Sequence, residues 1–301
     1  MSGLHIACIG EAMLELLVSE VPGPARIGVA GDVLNTAIYL RRALPSPHRV
    51  SFVSLVGQDR LSEGMLRFIA GHGVETDLVA RDPERLPGLY AITTDRAGER
   101  SFSYWRKDSA ARLLFQDGAG LARLETADVI YLSGITLAIL PPEIRAQLFD
   151  WIDTYRGRGG RVAFDSNYRP ILWESAAVAR DTMAAAWARC DLALPSVDDE
   201  MALFGDLTPQ DVLARLEGYG PQTGALKQGA KGPIPIGGPV SRQAYAPAPA
   251  VVDTTAAGDG FNGGYLAARL TGATQAAALQ AGHDLACRII GHPGAILPPD
   301  A

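Results

Sequence analysis

The sequence predicts an α/β fold, a doubly wound and mostly parallel sheet flanked by helices, with a small second β-sheet. Three observations support this. From about Asp128 onward, short apolar strands alternate with helical segments of about 10 to 15 residues, the pattern of a parallel sheet with crossover helices. Residues 89–94 and 100–105 instead form a hairpin pattern around a Gly-containing turn. The chain has 301 residues and 48% hydrophobic content, which is enough for a large buried core.

The predicted strands and helices follow from the spacing of apolar residues. Short apolar runs predict strands, and apolar positions three and four apart predict helices. Asp32 is the predicted N-cap of the first helix, and Thr208 with Pro209 begins a later one. The predicted strands are residues 5–10, 50–56, 74–76 with 78–79, 129–132, 161–164, 192–194 and 224–228, and the predicted helices are 33–43, 62–72, 142–155, 176–188, 198–203, 208–216 and 275–290.

The hairpin does not fit the alternating strand–helix pattern. We expect it to join a segment near residues 11–30 in a small sheet over the carboxyl edge of the main sheet, where ligands bind in such folds. No internal repeat or linker is visible, so we expect residues 1–301 to form one domain, with a lid made from segments near 11–30 and 88–106. One face of the hairpin carries Tyr90, Phe102 and Tyr104, and the other carries Trp105.

Composition and charge argue against several classes of function. The net charge is −6 and the pI is about 5.4, and no basic stripe is visible, so nucleic acid is not an expected partner. Cys8, Cys190 and Cys287 are widely spaced, which favours reduced thiols over a disulfide framework. The N-terminus lacks the pattern of a signal peptide, and no apolar run approaches the roughly 18 residues of a membrane span. We therefore expect a cytoplasmic protein without a membrane partner.

The most informative stretch is residues 251–266, VVDTTAAGDGFNGGYL. A strand-like apolar run is followed by a turn of small residues and then by helical periodicity. Small residues leave backbone N–H groups accessible to an anion, and the start of a helix adds the positive end of its dipole. Asp259 lies at this turn, where a carboxylate suits the removal of a proton from a hydroxyl that attacks a phosphoryl group. The alternative is an ordinary strand-to-helix turn with Asp259 as its N-cap.

The order Asp-Thr-Thr-Ala-Ala-Gly-Asp at residues 253–259 resembles the C-terminal signature of the ribokinase-like (pfkB-type) sugar kinases. Residues 56–59, VGQD, with later glycines, resemble the N-terminal signature of the same family, whereas the P-loop pattern GxxxxGKS or GxxxxGKT does not occur. The resemblance implies a ribokinase-like fold, with ATP as phosphoryl donor and Mg²⁺. It also implies that Asp259 is the catalytic base and that Ala256, Ala257 and Gly258 form the anion hole.

Further sites are implied by the same resemblance. Residues 227–232, KQGAKG, follow a predicted strand, and such loops cover the nucleotide phosphates in the family; a plain β-turn is the alternative. In the family's Asn-x-x-Glu motif the Glu positions magnesium through water; here Val197 replaces the Asn, while Glu200 matches. The implied ATP-binding residues are Ser196, Lys227, Gly229, Gly232 and His283, and the implied cation sites are Glu200 for Mg²⁺ through water and Asp253 for a monovalent cation such as K⁺.

Two stretches, residues 104–112 and 165–173, each place an arginine beside aromatic residues at the end of a predicted strand. A partly buried guanidinium grips a carboxylate bidentately, which a neutral sugar does not need; a surface salt bridge is the alternative. With GEAMLEL, AGDVLNTAIYLRR and LPSVDDE, these stretches resemble the 2-keto-3-deoxygluconate kinases of the family, over about residues 6–298. Ala30 replaces the first glycine of a family Gly-Gly pair, and Gly260 stands where serine is common. The implied sugar-acid contacts are Gly31, Asp32, Asn35, Tyr90, Tyr104, Arg106, Asn167 and Arg169.

The function that this resemblance implies is ATP-dependent phosphorylation of the terminal hydroxyl of 2-keto-3-deoxygluconate, giving the 6-phosphate and ADP. Two alternatives stay open. One is a kinase of the same family for a neutral sugar such as fructose or ribose, or for a nucleoside, which the two arginines disfavour. The other is a non-catalytic sugar-binding module, which the intact turn around Asp259 disfavours. An exposed lid sheet can pair across a two-fold axis, so we expect a homo-oligomer, a dimer or higher.

Overall fold

The computed structural model describes residues 3–18, 23–94, 100–237 and 243–298. The strands in these ranges are β1 His5–Ile9, β2 Met13–Val18, β3 Arg26–Ala30, β4 Arg49–Val56, β5 Val79–Arg81, β6 Gly88–Thr94, β7 Arg100–Trp105, β8 Val129–Ser133, β9 Arg161–Asp165, β10 Leu192–Ala193, β11 Thr223–Leu226 and β12 Ile234–Ile236. The helices are α1 Asp32–Ala43, α2 Arg60–Gly71, α3 Ala119–Ala122, α4 Gly134–Ile139, α5 Pro142–Gly157, α6 Ala176–Trp187, α7 Val197–Phe204, α8 Pro209–Glu217, α9 Ala257–Leu270 and α10 Gln275–Ile290. Short 3₁₀ turns occupy Ala110–Leu113, Pro170–Leu172 and Gly229–Lys231.

The main sheet has eight strands in the order β12-β11-β10-β9-β8-β1-β4-β5. Adjacent strands of this sheet are parallel, except that β12 is antiparallel to β11. Side chains of α1, α2, α9 and α10 form the core on one face of the sheet, and those of α4 to α8 form the core on the other. The predicted doubly wound α/β fold is confirmed.

The small sheet has the strand order β3-β2-β6-β7. The predicted hairpin is its β6–β7 pair, antiparallel, with Tyr90 opposite Tyr104 and Ile92 opposite Phe102. β2 lies in parallel beside β6, because each follows a main-sheet strand and leaves it in the same direction. The hairpin turn at 95–99 and part of the segment predicted near 11–30, residues 19–22, lie outside the described residues.

Asp59, in the VGQD stretch, caps α2 by accepting hydrogen bonds from the Leu61 and Ser62 N–H groups. Two other local signals act as the sequence predicts. Thr208 caps α8 in a capping box, with Pro209 in its first turn. The helix predicted at 275–290 is α10, with the same limits.

Other local predictions are wrong. Gly31, rather than Asp32, is the N-cap of α1. The run at 251–252 is not a strand, because the Val252 and Asp253 N–H groups donate to the Ile290 carbonyl at the end of α10 instead of to a sheet. The strand predicted at 74–76 with 78–79 is displaced, because β5 occupies Val79–Arg81 and Glu75 makes an isolated bridge to Ser51.

The three cysteines are free, with Cys8 and Cys190 buried and Cys287 partly buried. Burial raises the pKa of the Cys8 and Cys190 thiols, so both stay protonated and unreactive. Within the described parts of the chain, the helices are all too short or too polar to cross a membrane.

Candidate active site

A cavity of about 490 Å³ lies between the carboxyl ends of the main-sheet strands and one face of the small sheet. The strand ends meet here because parallel strands finish at the same edge of the sheet. The small sheet contributes Met13, Ala30, Tyr90, Phe102 and Tyr104 to its lining; the main domain contributes Gly31, Asp32, Asn35, Asp165, Asn167, Arg169, Ser196, Asp198, Asp199, Lys227 and residues 254–259. The cavity therefore brings together sequence segments more than two hundred residues apart.

Asp259 lies in the first turn of α9 and lines the cavity. The N-cap of this helix is Ala256, in the left-handed conformation with φ 60°, so the alternative with Asp259 as N-cap is wrong. Asn35 Nδ2 donates to Asp259 Oδ2 at 2.9 Å. Burial, with the nearby charges of Asp32 and Asp165, raises the pKa of Asp259 to about 8, against the opposing effects of Asn35 and Lys227. The carboxyl group is therefore tuned to exchange a proton near neutral pH.

The turn before Asp259 offers backbone donors to an anion. The first N–H groups of an α-helix have no acceptor within the helix, and in α9 these include the Gly258 and Asp259 groups. The Ala257 N–H group is already engaged with the Thr254 carbonyl at 3.3 Å. A Cβ atom added to Gly258 would lie 3.9 Å from Lys227 Nζ, so the lysine places a positive charge beside the same turn.

Lys227 is held by a buried polar network that the sequence patterns did not predict. Its Nζ donates to Asp165 Oδ1 at 2.9 Å and to Asn262 Oδ1 at 3.1 Å. Asn262 Nδ2 in turn donates to Asp165 Oδ2 at 2.7 Å and to Tyr131 Oη at 3.0 Å. Two signals pointed to these residues: Asp165 ends a strand, and Asn262 lies three residues after Asp259 on the same helix.

Asp32 and Asn167 form a second polar pair in the cavity. Asp32 Oδ2 accepts from Ser133 Oγ at 2.5 Å and from Asn167 Nδ2 at 2.8 Å. Burial raises the pKa of Asp32. Asn167 has φ 28°, in the left-handed region that asparagine tolerates better than most residues. These contacts explain why Asp32 does not cap α1, and they present fixed oxygen and nitrogen atoms to a polyhydroxy ligand.

The predicted acceptor contacts Gly31, Tyr90 and Tyr104 also line the cavity. Tyr90 is buried and donates its hydroxyl to Glu15. Tyr104 is exposed and lies beside it, with ring centroids 5.7 Å apart and ring planes tilted by 30°. A Cβ atom on Gly31 would lie 2.3 Å from the Glu11 carbonyl oxygen. Only glycine lets these two backbone segments approach so closely.

The two predicted arginines have different environments. Arg169 lines the cavity with its side chain 53% exposed, and it contacts Asp199 Oδ1 only at 3.5 Å. Arg106 is outside the cavity lining, 9% exposed, and forms an ion pair with the buried Glu11. Of the two, Arg169 is the guanidinium that a ligand reaches directly in this arrangement.

The acidic start of α7 also differs from the prediction. Glu200 is fully buried and pairs with Arg215 Nη2 at 2.8 Å, away from the cavity. Burial raises its pKa to about 7, partly offset by Arg215. This placement does not favour the predicted magnesium role, because the Glu200 side chain faces Arg215 and not the cavity. Its neighbours Asp198 and Asp199 line the cavity instead. No group of three His, Cys, Asp or Glu side chains in the described residues is arranged to hold a metal ion.

Among the predicted nucleotide contacts, Ser196 and Lys227 line the cavity, whereas Gly229, Gly232 and His283 do not. Gly229 and Gly232 adopt left-handed φ values of 54° and 78° in a turn after β11, which satisfies the predicted need for glycine. His283 is buried, and its Nε2 lies 2.7 Å from the Ala246 carbonyl oxygen.

Asp253, the predicted monovalent cation ligand, is buried just before the turn that leads into α9. Its Oδ1 accepts from the Thr255 hydroxyl at 2.7 Å, and its Oδ2 accepts from the Gly294 N–H group at 2.7 Å. The carboxylate thus ties the loop before α9 to the loop after α10.

Comparison with known proteins places this geometry in a family. The model of the pfkB family carbohydrate kinases matches residues 4–301. A Dickeya dadantii protein named 2-dehydro-3-deoxygluconokinase is 41% identical over 309 residues, covering 100% of this chain and 99% of the relative. A PfkB protein from Polaromonas sp. JS666 superposes with a TM-score of 0.83 at 28% identity, covering 95% of each chain. An Escherichia coli protein solved with ATP and Mg²⁺ has a TM-score of 0.82 at 21% identity, covering 98% of this chain and 94% of its own, and shares the fold. The chain belongs to the pfkB family of carbohydrate kinases.

Proposed function

We propose that this protein transfers the γ-phosphoryl group of ATP to the terminal hydroxyl of 2-keto-3-deoxygluconate, also called 2-dehydro-3-deoxygluconate, giving the 6-phosphate and ADP. The observation that carries the proposal is Asp259, a carboxyl group with a raised pKa that faces a cavity at the first turn of α9. Full-length relatives at about 41% identity bear the name of this activity, which supports the choice of acceptor.

In this mechanism Asp259 takes the proton of the attacking hydroxyl. Asn35 holds the carboxylate through Oδ2, which leaves Oδ1 to face the acceptor. The N–H groups of Gly258 and Asp259, with the charge of Lys227, stabilise the negative charge that shifts onto the phosphoryl oxygens. Ala256 and Ala257 complete the anion hole by presenting only small side chains to it. In this arrangement Asp259 lies beside both the attacking hydroxyl of the acceptor and the phosphoryl group.

The residues present fit ATP and Mg²⁺. The first-turn amides of α9 and Lys227 suit phosphate oxygens, and we propose that Ser196, Gly229, Gly232 and His283 extend this path along the nucleotide. Asp198 and Asp199 offer carboxylate oxygens, the ligands that Mg²⁺ prefers when phosphates and water complete its shell. The bound ion neutralises phosphate charge during transfer. For Glu200 we retain only a structural role.

For the acceptor, we propose that Arg169 binds the carboxylate of the sugar acid and that Gly31, Asp32, Asn167, Tyr90 and Tyr104 contact its hydroxyls and carbon chain. Arg169 is partly exposed in the cavity and is not saturated by Asp199, because their contact is long. Arg106 does not line the cavity, and it supports the small sheet from its base through the ion pair with Glu11. That sheet serves as a lid that excludes water from the phosphoryl group.

The first test is Asp259→Asn. The amide keeps the shape and the Asn35 contact but cannot accept the proton, so we expect turnover to fall by several orders of magnitude while the KM for the sugar acid changes little. Steady-state assays of ADP release, with ligand-induced thermal shifts as the binding control, measure both quantities. Unchanged turnover would contradict the role of Asp259 as the catalytic base.

A substrate panel separates the acceptors. With Mg-ATP we expect ADP release with 2-keto-3-deoxygluconate or its galacto epimer and none with fructose, ribose or adenosine. Activity on a neutral sugar would keep the kinase and discard the role of Arg169 in carboxylate binding. No ADP release with any of the five acceptors, together with intact ATP binding, would favour a sugar-binding module.

We also propose that Asp253 supports a monovalent cation beside the catalytic turn. Its carboxylate is buried and joins the loop before α9 to the loop after α10. Activity measured in K⁺ against choline at equal ionic strength tests this, and equal rates in the two salts would remove the cation from the mechanism.

A further inference from the structure

All four chain crossings between the main sheet and the small sheet converge on Glu11. Glu11 itself lies in the first crossing, from β1 to β2. The second crossing, from β3 to α1, passes Gly31, whose added Cβ atom would lie 2.3 Å from the Glu11 carbonyl oxygen. The third enters β6 at Gly88, whose added Cβ atom would lie 2.7 Å from Glu11 Oε1. The fourth leaves β7 at Arg106, the ion-pair partner of Glu11.

The pair itself is deeply buried. The side chain of Glu11 is 1% exposed and that of Arg106 is 9% exposed. Both are only partly satisfied within the described part of the chain, because Glu11 Oε1 and Arg106 Nε have no hydrogen-bond partner there. A buried ion pair with unmet hydrogen bonds is a weak source of stability compared with apolar packing. Its position at the joint of two sheets therefore calls for a reason other than stability.

Glu11 is joined to the cavity on two sides. Gly31, against its carbonyl oxygen, is the N-cap of α1, the helix that carries Asp32 and Asn35. On the other side, β6 begins at Gly88 and carries Tyr90 two residues later. The Glu11 backbone therefore contacts the start of α1, while its side chain contacts the small sheet at Gly88 and Arg106.

We propose that Glu11 is a positioning residue, and that its ion pair with Arg106 fixes the small sheet relative to the start of α1, so that acceptor and catalytic base meet at a defined distance. The proposal rests on the kinase function proposed above. Loss of the Glu11 charge leaves Arg106 buried without a counter-charge, and the guanidinium moves toward water. The small sheet then loses its fixed orientation, while the nucleotide side of the cavity keeps its contacts.

The test compares Glu11→Gln with a matched control, Asp191→Asn. Asp191 is also a buried carboxylate paired with an arginine, Arg156, but it precedes β10 and so lies at the opposite end of the sheet. Hydrogen exchange in the ligand-free proteins reports on the joint without any substrate. We expect Glu11→Gln to speed exchange in β2, β6 and β7 and not in β8 or β9, whereas Asp191→Asn leaves the small sheet unchanged.

Kinetics with 2-keto-3-deoxygluconate and ATP provide the second readout. A misplacement of about 1 Å is enough for a large loss of rate, and we expect Glu11→Gln to raise the KM for the sugar acid by about tenfold or more, with the KM for ATP nearly unchanged. A loosened small sheet also admits water, so ADP release without acceptor should rise. If Glu11→Gln does not fold, Glu11→Asp keeps the charge and shortens the side chain, and the same readouts apply at reduced size.

Two results would overturn the proposal. One is unchanged exchange in β2, β6 and β7 of Glu11→Gln. The other is a loss shared equally between the sugar acid and ATP and matched by Asp191→Asn, since that describes general destabilisation. A wild-type protein inactive on every sugar acid would refute the proposed function alone, because the exchange experiment would still decide whether Glu11 fixes the sheet.

Discussion

At the scale of single residues, Asp259 shows how this site trades stability for function. Three carboxylates, Asp32, Asp165 and Asp259, lie close enough for the first two to raise the pKa of the third to about 8, together with burial. Like charges gathered in a partly dry cavity oppose folding. A base that holds its proton up to about pH 8 is, however, a strong base for a sugar hydroxyl.

This pKa predicts a pH-dependent difference in stability between the wild type and Asp259→Asn. The folded protein keeps the Asp259 proton up to about pH 8, whereas the unfolded chain releases it near the usual pKa of an aspartate, 3.8. The folded state therefore binds more protons in this window, and its stability falls as pH rises from about 4 to about 8. Asparagine does not titrate, so Asp259→Asn should gain stability relative to the wild type at pH 9 compared with pH 5. Thermal unfolding at both pH values measures this, and equal differences at the two values would contradict the raised pKa.

Arg169 carries the second prediction at this scale. If it binds the acceptor carboxylate, Arg169→Gln should raise the KM for the sugar acid by about 10-fold to 100-fold, the range for a lost charge-assisted bidentate contact, and leave the KM for ATP unchanged. Arg158→Gln is the control, because Arg158 is an arginine of similar exposure that pairs with Glu125 far from the cavity. Equal effects of the two substitutions on the KM for the sugar acid would refute the contact.

At the scale of elements, α9 combines the proposed catalytic turn with a tight packing surface. Its first turn faces the cavity at Gly258, where an added Cβ atom would meet only Lys227 Nζ, at 3.9 Å. One turn and a half later, Gly263 packs against α1, where an added Cβ atom would lie 2.7 Å from Tyr39 Cβ and 2.9 Å from the Leu40 backbone nitrogen. The same helix thus needs glycine for two different reasons.

The same substitution at these two glycines should give opposite results. Gly258→Ala should keep or raise stability, because alanine favours a helix over glycine by up to about 1 kcal/mol, while its methyl group obstructs the anion hole and lowers kcat/KM for ATP. Gly263→Ala should destabilise the protein by about 1–3 kcal/mol through overpacking of α1 against α9. Chemical unfolding and steady-state assays of both variants provide the comparison. A stable, fully active Gly258→Ala protein would contradict the proposed anion hole.

At the scale of the whole molecule, the small sheet leaves apolar surface uncovered. On its cavity face, Leu17 is 41% exposed and Phe102 is 47% exposed. Both side chains lie on the same face of the sheet as Tyr90 and Tyr104. β3 and β7 are its edge strands. Exposed apolar side chains on a sheet with two open edges favour pairing with a second copy.

We therefore predict a homodimer formed through the small sheets. Light scattering coupled to size exclusion should give twice the monomer mass of 31.8 kDa. Leu17→Glu should dissociate the dimer, since a charge is costly in an apolar interface. Ile27→Glu is the control, because Ile27 is exposed on the opposite face. A monomeric wild-type protein would refute the pairing.

Much of this site was predictable because it depends on local chemistry. The turn 253–259 needs small residues followed by a carboxylate, and the cavity gathers Asp259, Asn35, Asn167 and Arg169 as the patterns indicated. Asp165 was not singled out, because an aspartate at a strand end looks the same whether it meets solvent, a cap or a lysine sixty residues away. Its function follows from the partner.

The sequence by itself determined the type of most elements, the limits of α10 and the Thr208 cap, because these depend on backbone preferences within a few residues. Only the tertiary structure decided which charges meet. In the folded chain Glu200 pairs with Arg215 and Arg106 pairs with Glu11, while Arg169 faces the cavity. Whether a buried charge binds a ligand or another residue depends on desolvation and on the nearest opposite charge, and both are properties of the packed chain.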